Sequence, residues 1–337
     1  MNYIKMSPLV GLSGYGGGTA SHTFIGAGVA GTGKWNGQYG YYSGGEGSGA
    51  TGNEIQKFTI QSTSNATDVG DLQTVSKYGS NTSSGDYCFH FGGDSAGGGG
   101  AKETEISQWA GTGGTSSLFA NMGDAKQGVI CGCNGNRLIE IGGTGANFSS
   151  DWFQEDFVWW DAANGSAGST VFGDMIDCWG YSNPVNDATR MVAMGGRKKE
   201  SNGTIANQDS MEYITFATES NATNFGDMAE TTFRQGSGGS ETRGISAGGS
   251  TATMTHSNTI EYITIQTPSN STDFGNLSTG RYYPGGSSDL SRLCIAGGWN
   301  GSYLDHIRYV TIDTTSGTTD AGDLVQATGW GAGCAGG

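Results

Sequence analysis

The sequence repeats one short phrase six times at nearly constant spacing, and this repeat constrains the fold more than any other feature. Ile260–Leu277 reads IEYITIQTPSNSTDFGNL, and Met211–Met228 reads MEYITFATESNATNFGDM. The first six residues of the phrase recur at steps of 49, 51, 56, 49 and 47 residues. Each copy alternates apolar and polar residues and is rich in β-branched and aromatic side chains, which predicts a strand with one buried face. The six predicted strands are Ile55–Ile60, Thr104–Trp109, Glu155–Trp160, Met211–Phe216, Ile260–Ile265 and Ile307–Ile312.

Glycines recur at two further positions of the repeat. A single glycine beside Asp or Asn follows each predicted strand, a pattern typical of a tight turn that needs a positive φ. Two more apolar runs precede the next strand, and the second ends in a glycine pair in five copies, whereas the first copy reads HTFIGAG at His22–Gly28. The single glycines are Gly70, Gly123, Gly173, Gly226, Gly275 and Gly322, and the pairs end at Gly93, Gly143, Gly196, Gly249 and Gly298.

Each copy therefore predicts four short antiparallel strands. A four-stranded unit with a period near fifty indicates a β-propeller of the kelch class, whereas a β-solenoid would have much shorter repeats. We expect the glycine pair to end the strand nearest the central channel, where neighbouring backbones approach closely. The prediction is an all-β protein with a single kelch-like β-propeller domain over residues 1–337.

The strand count favours six four-stranded blades. Val325–Gly333 resembles the first strand of a copy, so we predict that it completes the blade begun near His22. This pairing of the N- and C-terminal segments would close the ring and remove an open sheet edge. Seven blades are the alternative, because Asn2–Met6 lies about one period before Ile55.

Arginine recurs five residues before four of the glycine pairs. The strand that follows carries an acid at its second position in three cases and Arg308 in the fourth. The pattern predicts a cross-strand ion pair in successive blades, with a ligand-binding ring of arginines as the alternative. The arginines are Arg137, Arg190, Arg243 and Arg292, and the acids are Asp156, Glu212 and Glu261.

Composition and charge exclude several classes of protein. The 63 glycines follow no Gly-X-Y period and accompany 13 Phe, 14 Tyr and 8 Trp, which excludes collagen and argues against disorder. The net charge of −15 argues against binding to nucleic acid or anionic membranes, because phosphate recognition needs concentrated Lys and Arg. The longest basic run, Arg197–Lys199, is interpreted as a solvated loop. No apolar run approaches a membrane span, and the N-terminus lacks the apolar core of a secretory signal, so we expect synthesis in a cytoplasm.

The residues give little support for catalysis, and we expect no cofactor and no metal. HExxH does not occur, and the four histidines lie in different repeats. Sialidase-type propellers use carboxylates, but here the Asp-Gly phrases recur in every copy, which indicates a structural role. The cysteines read as small buried apolar residues rather than as disulfides or zinc ligands. They are Cys88, Cys131, Cys133, Cys178, Cys294 and Cys334.

The third copy is the most divergent and the most aromatic. It reads SSDWFQEDFVWWDAANGS at Ser149–Ser166, followed by DCWGYSNP at Asp177–Pro184. We expect at least two of its tryptophans to pack between blades, and any exposed one to form a stacking platform for a sugar or a protein partner. The candidate ligand- or partner-binding residues are Trp152, Trp159, Trp160 and Trp179.

The repeat phrases NTIEYITI, NSTDFGNL and RLCIAGG within Asn258–Gly298 resemble kelch-like β-propeller repeat proteins of marine tailed phages, cyanophage-type virion proteins among them. The resemblance covers nearly the whole chain and is strongest from Asp209 to Leu324. It implies a virion structural component on the tail or capsid exterior, and it carries over no catalytic residue.

The leading hypothesis is a non-enzymatic virion structural protein, a propeller module on the tail or capsid exterior of a tailed phage. Its expected partners are other virion proteins and a host-surface glycan, with several copies on the particle, no nucleic acid and no membrane insertion. The alternative is a bacterial carbohydrate-binding propeller with no virion role. A glycosidase or lyase propeller is the third hypothesis.

Overall fold

The computed structural model describes residues 37–47, 52–95, 103–145, 156–163, 167–177, 180–200 and 204–336. Across these ranges the regular structure is β-strand. None of the described segments forms a helix with the length and apolar character needed to cross a bilayer. The strands are β1 (Tyr39–Ser43), β2 (Glu46–Gly47), β3 (Glu54–Thr59), β4 (Thr67–Asp71), β5 (Ser80–Ser83), β6 (Tyr87–Phe91), β7 (Glu103–Ala110), β8 (Ser117–Lys126), β9 (Ile130–Cys133), β10 (Arg137–Ile141), β11 (Asp156–Asp161), β12 (Ala167–Asp174), β13 (Asn183–Asn186), β14 (Arg190–Lys199), β15 (Ile205–Thr215), β16 (Thr223–Asp227), β17 (Thr232–Phe233), β18 (Gly236–Gly239), β19 (Arg243–Ala247), β20 (Ser250–Thr251), β21 (Thr259–Thr264), β22 (Thr272–Asn276), β23 (Gly285–Ser288), β24 (Arg292–Ala296), β25 (His306–Thr311), β26 (Thr319–Asp323), β27 (Thr328–Gly329) and β28 (Ala332–Gly336).

Six antiparallel four-stranded sheets are arranged in a ring as a six-bladed β-propeller. Blade 1 has the strand order β28-β1-β3-β4, and blades 2, 3 and 4 are β5–β8, β9–β12 and β13–β16. Blade 5 is β18-β19-β21-β22, and blade 6 is β23–β26. The first strand of each blade contacts the first strands of its neighbours, in the order β28, β5, β9, β13, β18, β23 and back to β28. The sequence prediction of six four-stranded blades is confirmed, and the seven-blade alternative is wrong for the described residues. Asn2–Met6 lies outside them.

The alternating hexamers form the third strand of every blade, as predicted. Their inward side chains build the core, which lies between neighbouring blades. Ile260 and Ile263 of blade 5, for example, belong to blade-to-blade clusters that are almost wholly removed from water. Burying an aliphatic side chain of this size contributes about 1.5–3 kcal/mol, so the repeat is stabilised at each blade junction.

The single glycines occupy bulges of the fourth strand rather than tight turns. Gly226 and Gly275 lie within β16 and β22 with φ of 145°, next to register shifts in the pairing with the third strand. A Cβ at Gly226 would stand 2.4 Å from the carbonyl oxygen of Ser269 in the next blade. Glycine is therefore required both by the bulge and by the close approach of the neighbouring blade.

The glycine pairs end the second strand, one position farther from the channel than predicted. Both residues of a pair adopt a positive φ, as at Gly248 (71°) and Gly249 (106°). The N–H of Gly249 donates to the carbonyl of Arg281 at 2.8 Å, and a Cβ at Gly248 would lie 2.7 Å from that oxygen. The pair has the same backbone conformation in successive blades because it contacts the segment leading into the next blade.

The first blade differs from the prediction in its second strand. That position is held by β1, which is followed by the glycine pair Gly44 and Gly45, whereas His22–Gly28 lies outside the described residues. The innermost strand is the C-terminal β28, which pairs with β1 from Tyr39–Gly336 to Ser43–Ala332. It begins seven residues after the start of the predicted segment Val325–Gly333, because Thr328–Gly329 forms a separate short pairing with β2.

In place of the predicted ion pair with an acid, the arginine makes one contact within its own blade and one with the next blade. The Arg190 guanidinium packs 4.0 Å from the centre of the Tyr213 ring and donates to the carbonyl of Ile265 in the next blade at 3.1 Å. Neither Arg190 nor Arg243 forms an ion pair with Glu212 or Glu261 in the described part of the chain. The arginines occupy the first position of the second strand and the acids face the preceding blade, so the two sets diverge. The other arginine contacts run from Arg137 to Phe216, from Arg243 to Ile312 and from Arg292 to Ile60.

The acids at the second hexamer position bind backbone N–H groups of the preceding blade. Glu261 accepts hydrogen bonds from the N–H groups of Ala229 and Glu230 at 3.1 and 3.0 Å. Glu212 does the same for Ile176 and Asp177. In blade 1 a glutamine holds this place, since Gln56 accepts from the N–H of Val325 at 2.7 Å. We call this repeated contact the blade latch.

The basic run Arg197–Lys199 is not a solvated loop. It extends β14 beyond the other second strands and pairs with the start of β15, from Gly196–Gln208 to Lys199–Ile205. The extra residues of the fourth repeat therefore lengthen one hairpin, and they place Arg197 beside the channel end of blade 5.

Candidate binding face at the mouth of the central channel

Each blade places one residue in the left-handed backbone conformation two positions before its innermost strand. Their φ values lie between 55° and 64°. Five of the six are not glycine, and a bulky residue in this region of backbone space is strained by about 1–3 kcal/mol. Such strain persists only where surrounding contacts enforce it. We call these residues the channel girdle: Tyr78, Gly128, Tyr181, Arg234, Tyr283 and Trp330.

Backbone hydrogen bonds link the girdle from blade to blade. At five junctions the N–H of one girdle residue donates to the carbonyl of the girdle residue in the preceding blade, at 2.8–2.9 Å. Gly128 donates in this way to Tyr78, and Tyr283 donates to Arg234. These bonds fix the left-handed conformation and hold the six girdle residues around the same end of the channel.

The girdle side chains converge into an aromatic cluster centred on one arginine. The Arg234 guanidinium carbon lies 4.3 Å from the ring centre of Tyr283, 4.8 Å from that of Tyr181 and 5.9 Å from that of Tyr78. The Tyr78 and Tyr283 rings are 5.2 Å apart. A cation near several aromatic rings is attracted by the quadrupole of each ring. These attractions hold the guanidinium in place without a carboxylate.

A second group of rings extends the cluster outward over blade 6. Trp299 and Trp330 stack with ring centres 5.8 Å apart, and Tyr303 stands edge-on to both. All three are half-buried. Desolvation, reinforced by the charge of Glu46 and by a hydrogen bond to it, raises the pKa of Tyr303 to about 12. We call the girdle together with Tyr282, Trp299 and Tyr303 the mouth cluster.

Behind the girdle the channel holds a cavity of about 120 Å³. Small residues of the innermost strands line it, including Asn81, Ser237 and Gly286. Some hydroxyl and amide groups there bridge blades, since Ser237 donates to the carbonyl of Pro184 at 2.8 Å. The space is large enough for a small polar substituent of a ligand, because about 10–15 Å³ of such volume holds one water.

Of the four predicted tryptophans, Trp160 is the one whose side chain lies among the described residues. Trp160 lies in β11 and is 5 % exposed within an inter-blade core cluster, so it offers no ring face to a ligand. Trp159 lies in the same strand, but its side chain is outside the described residues, as are Trp152 and Trp179. Trp160 fulfils the expectation of packing between blades.

Other ionisable side chains in the described ranges are used structurally. The ring of His90 is buried between the Asn81 amide oxygen and the Ser76 hydroxyl, both 2.7 Å away, and burial lowers the pKa of His90 to about 4. The five described cysteines are free and buried, as the sequence predicts, and burial raises the pKa of Cys131 and Cys133 to about 12. Thiols kept neutral in this way are poor nucleophiles and poor metal ligands.

A cluster of metal-ligand type was missed by the sequence analysis. Asp305, His306 and Asp323 place one ligand atom each within 4.8 Å of one another, a spacing that could hold a divalent cation. The same place in the repeat has a structural task, because the Asp305 carbonyl accepts from the N–H of Leu324 at 2.7 Å and the Asn258 carbonyl makes the matching bond in blade 5. The position is thus set by the fold.

Sequence reasoning also missed the channel girdle. Its signal was an aromatic or basic residue recurring about every fifty residues, one position before a Gly, Ser or Pro in most copies. That signal is weak because the girdle identities differ from blade to blade, including a glycine in blade 3. What the residues share is backbone conformation, which a residue pattern records poorly.

No protein-family model matches this sequence, and no curated protein matches it either. The function is therefore argued from the fold and from the mouth cluster. A β-propeller with a packed ring and a surface-accessible channel end fits a protein-interaction or binding module.

Proposed function

We propose that this chain is a non-enzymatic binding module on the exterior of a tailed-phage particle, and that its mouth cluster attaches to a host-surface glycan or to another virion protein. The mouth cluster is the observation that carries the proposal. Rings that are held rigidly but remain half-exposed supply contact area at low entropic cost, and stacked tryptophans suit the apolar face of a sugar ring. The virion setting is supported by the resemblance of the repeat phrases to phage proteins.

The absence of catalysis is part of the same proposal. The recurring acids of the described blades bind backbone N–H groups in the blade latch, and His90 is enclosed by two polar neighbours. These uses follow the repeat, whereas a catalytic site needs residues that depart from it.

Binding at the mouth cluster is tested with purified protein and host-surface polysaccharide, using tryptophan fluorescence and calorimetry. Trp299→Ala and Tyr303→Ala should each weaken binding by about tenfold, since an aromatic contact contributes roughly 0.5–1.5 kcal/mol beyond its buried area. Tyr87→Ala is the matched control, because Tyr87 is 44 % exposed and lies at the opposite end of its blade. Equal affinities for the control and both mouth variants would contradict this site.

The virion setting is tested separately by antibody labelling of intact particles. We expect label on the tail or capsid exterior in several copies. Purified particles without the chain would overturn the virion proposal, and glycan binding that persisted would then favour the carbohydrate-binding propeller of the alternative hypothesis.

A further inference from the structure

Arg234 brings an unneutralised positive charge to the channel axis. Its guanidinium packs against tyrosine rings and against Phe233, 4.8 Å from that ring centre. Within the described ranges it forms no ion pair, and its Nε is buried without a hydrogen-bond partner. Arg234 also lines the channel cavity. Arg234 is half-buried, and a cation that is partly removed from water without an anionic partner favours an anionic ligand.

A second guanidinium lies on the same phenyl ring. The Arg197 guanidinium carbon is 3.7 Å from the ring centre of Phe233, where the extended β14 hairpin places it. Burial, followed by the positive charge of Arg234, lowers the pKa of Arg197 to about 10. The ionisable groups acting on Arg197 are Arg234, Tyr283 and Tyr181, and no carboxylate is among them. Two cations therefore share one small region of a chain whose net charge is −15.

Tyr283 supplies a hydrogen-bond donor at the same place. The residue is 7 % exposed, it lines the cavity, and its hydroxyl has no hydrogen-bond partner among the described residues. Burial raises the pKa of Tyr283 well above its ordinary value, so the hydroxyl keeps its proton. An unmade hydrogen bond in a buried site is costly, and a ligand oxygen would supply the missing acceptor.

The acids nearest to the cluster are already engaged. Glu46 and Asp94 are the carboxylates that act on Tyr78. Glu46 pairs with Lys77 and accepts the Tyr303 hydroxyl, and the backbone of Asp94 bridges that of Lys77. Neither carboxylate forms an ion pair with Arg234 or Arg197 in the described part of the chain.

We propose that the mouth cluster recognises a carboxylate-bearing saccharide, whose carboxylate enters the cavity and binds Arg234 and the Tyr283 hydroxyl. This inference rests on the proposed binding function and specifies its ligand class. A guanidinium and a phenol are suited to a carboxylate, because charge-assisted hydrogen bonds are about twice as strong as neutral ones. The small cavity takes one substituent, while the half-exposed ring of Trp330 lies outside its lining, where a pyranose ring would stack.

The test is calorimetric titration of the whole chain with oligomers of galacturonic acid, with the same oligomers as methyl esters, and with poly-glutamate. We expect the acidic saccharide to bind at least tenfold more tightly than its ester, and binding to weaken as salt is added. Arg234→Met should abolish the preference for the acid, and Tyr283→Phe should weaken acid binding by about tenfold.

Arg243→Met is the matched control, since Arg243 makes the same kind of ring contact with Tyr262 (4.3 Å) away from the mouth. Thermal unfolding of each variant shows that it is folded. Equal binding of acid and ester, with Trp299→Ala still weakening both, would overturn the carboxylate inference and leave the proposed function standing. Binding of poly-glutamate alone would show an acidic protein partner and overturn the saccharide. No binding of either saccharide would also overturn it.

Discussion

His90 shows how a polar residue is accommodated inside a blade. Its Nδ1 lies 2.7 Å from the Asn81 amide oxygen, and its Nε2 lies 2.7 Å from the Ser76 hydroxyl. The Asn81 amide in turn donates to Ser43 and to the carbonyl of Ala332 in the C-terminal strand. A fully enclosed imidazole that uses both nitrogens is neutral, because burial penalises its charged form.

The buried His90 should make stability fall in acid. The folded-state pKa of His90 is about 4, whereas an unfolded chain takes up this proton near 6.5. Between these values the unfolded state binds more protons, so the contribution is fully present above pH 6.5 and is lost progressively towards pH 4, by about 3 kcal/mol in all. Urea unfolding of the parent chain and of His90→Gln from pH 7.5 to 4.5 measures this loss.

His306→Gln removes a partly exposed histidine and is the control for this experiment. The difference in unfolding free energy between the parent and His90→Gln should shrink as the pH falls. The corresponding difference for His306→Gln should change less over the same pH range. A difference for His90→Gln that is constant over the whole range would contradict the assignment.

At the scale of single elements, the third strands were predictable and their surroundings were only partly so. Alternation within MEYITF and IEYITI reports which face of a strand is buried, and burial is decided locally. The partners of Arg190 and Glu261 were predicted wrongly, because they lie in neighbouring blades, 75 residues along the chain from Arg190 and 32 from Glu261. The single glycines were predicted to need a positive φ, but Gly226 uses it in a bulge, since the next blade approaches that strand.

The mouth cluster was beyond the reach of the residue pattern for the same reason. Its rings come from the segments before four different innermost strands and from loops such as the one bearing Trp299. They meet because the ring of blades brings its loops to one end. Within the aromatic third repeat, Trp160 packs in the core, as the sequence analysis expected for some of its tryptophans.

The blade latch makes a prediction about one element. The Glu261 carboxylate accepts from two backbone N–H groups and from the Ser271 hydroxyl at 2.5 Å, and desolvation raises the pKa of Glu261. Gln56 fills the same place in blade 1 with an amide oxygen. Glu261→Gln should therefore be tolerated within about 1 kcal/mol at pH 7, whereas Glu261→Ala should lower the unfolding free energy by about 1–3 kcal/mol by leaving buried donors unpaired.

Chemical denaturation of both variants at pH 7 measures this difference. Glu241→Ala is a suitable control, since Glu241 is an exposed acid of the same blade. An alanine variant as stable as the glutamine variant would show that the latch does not depend on its acceptor.

At the scale of the whole molecule, the C-terminal strand links the last blade to the first. β28 pairs with β1 in its own blade and contacts β23 on one side and β5 on the other. Cys334 packs with Tyr41, Cys88 and Trp109 in one core cluster. The stability of the propeller should therefore depend on a strand that is a small fraction of the chain.

Truncation after Gly331 should open the ring between β23 and β5. Loss of β28 exposes the edge of β1 and the cluster around Trp109, and an open edge with apolar surface promotes association. We expect the truncated chain to lose its cooperative thermal transition and to form oligomers. Calorimetry and light scattering after size-exclusion chromatography measure both effects.

A point variant separates strand packing from chain length. A Cβ at Gly333 would lie 2.6 Å from the backbone N of Gly286 in the neighbouring innermost strand, whereas a Cβ at Gly123 would meet nothing within 4 Å. Gly333→Val should therefore destabilise the protein by about 1–3 kcal/mol, the usual cost of overpacking, and Gly123→Val should have a much smaller effect. If Gly333→Val matched Gly123→Val, contact between β28 and β23 would not stabilise the ring, and the sensitivity to truncation would have to come from β1 alone.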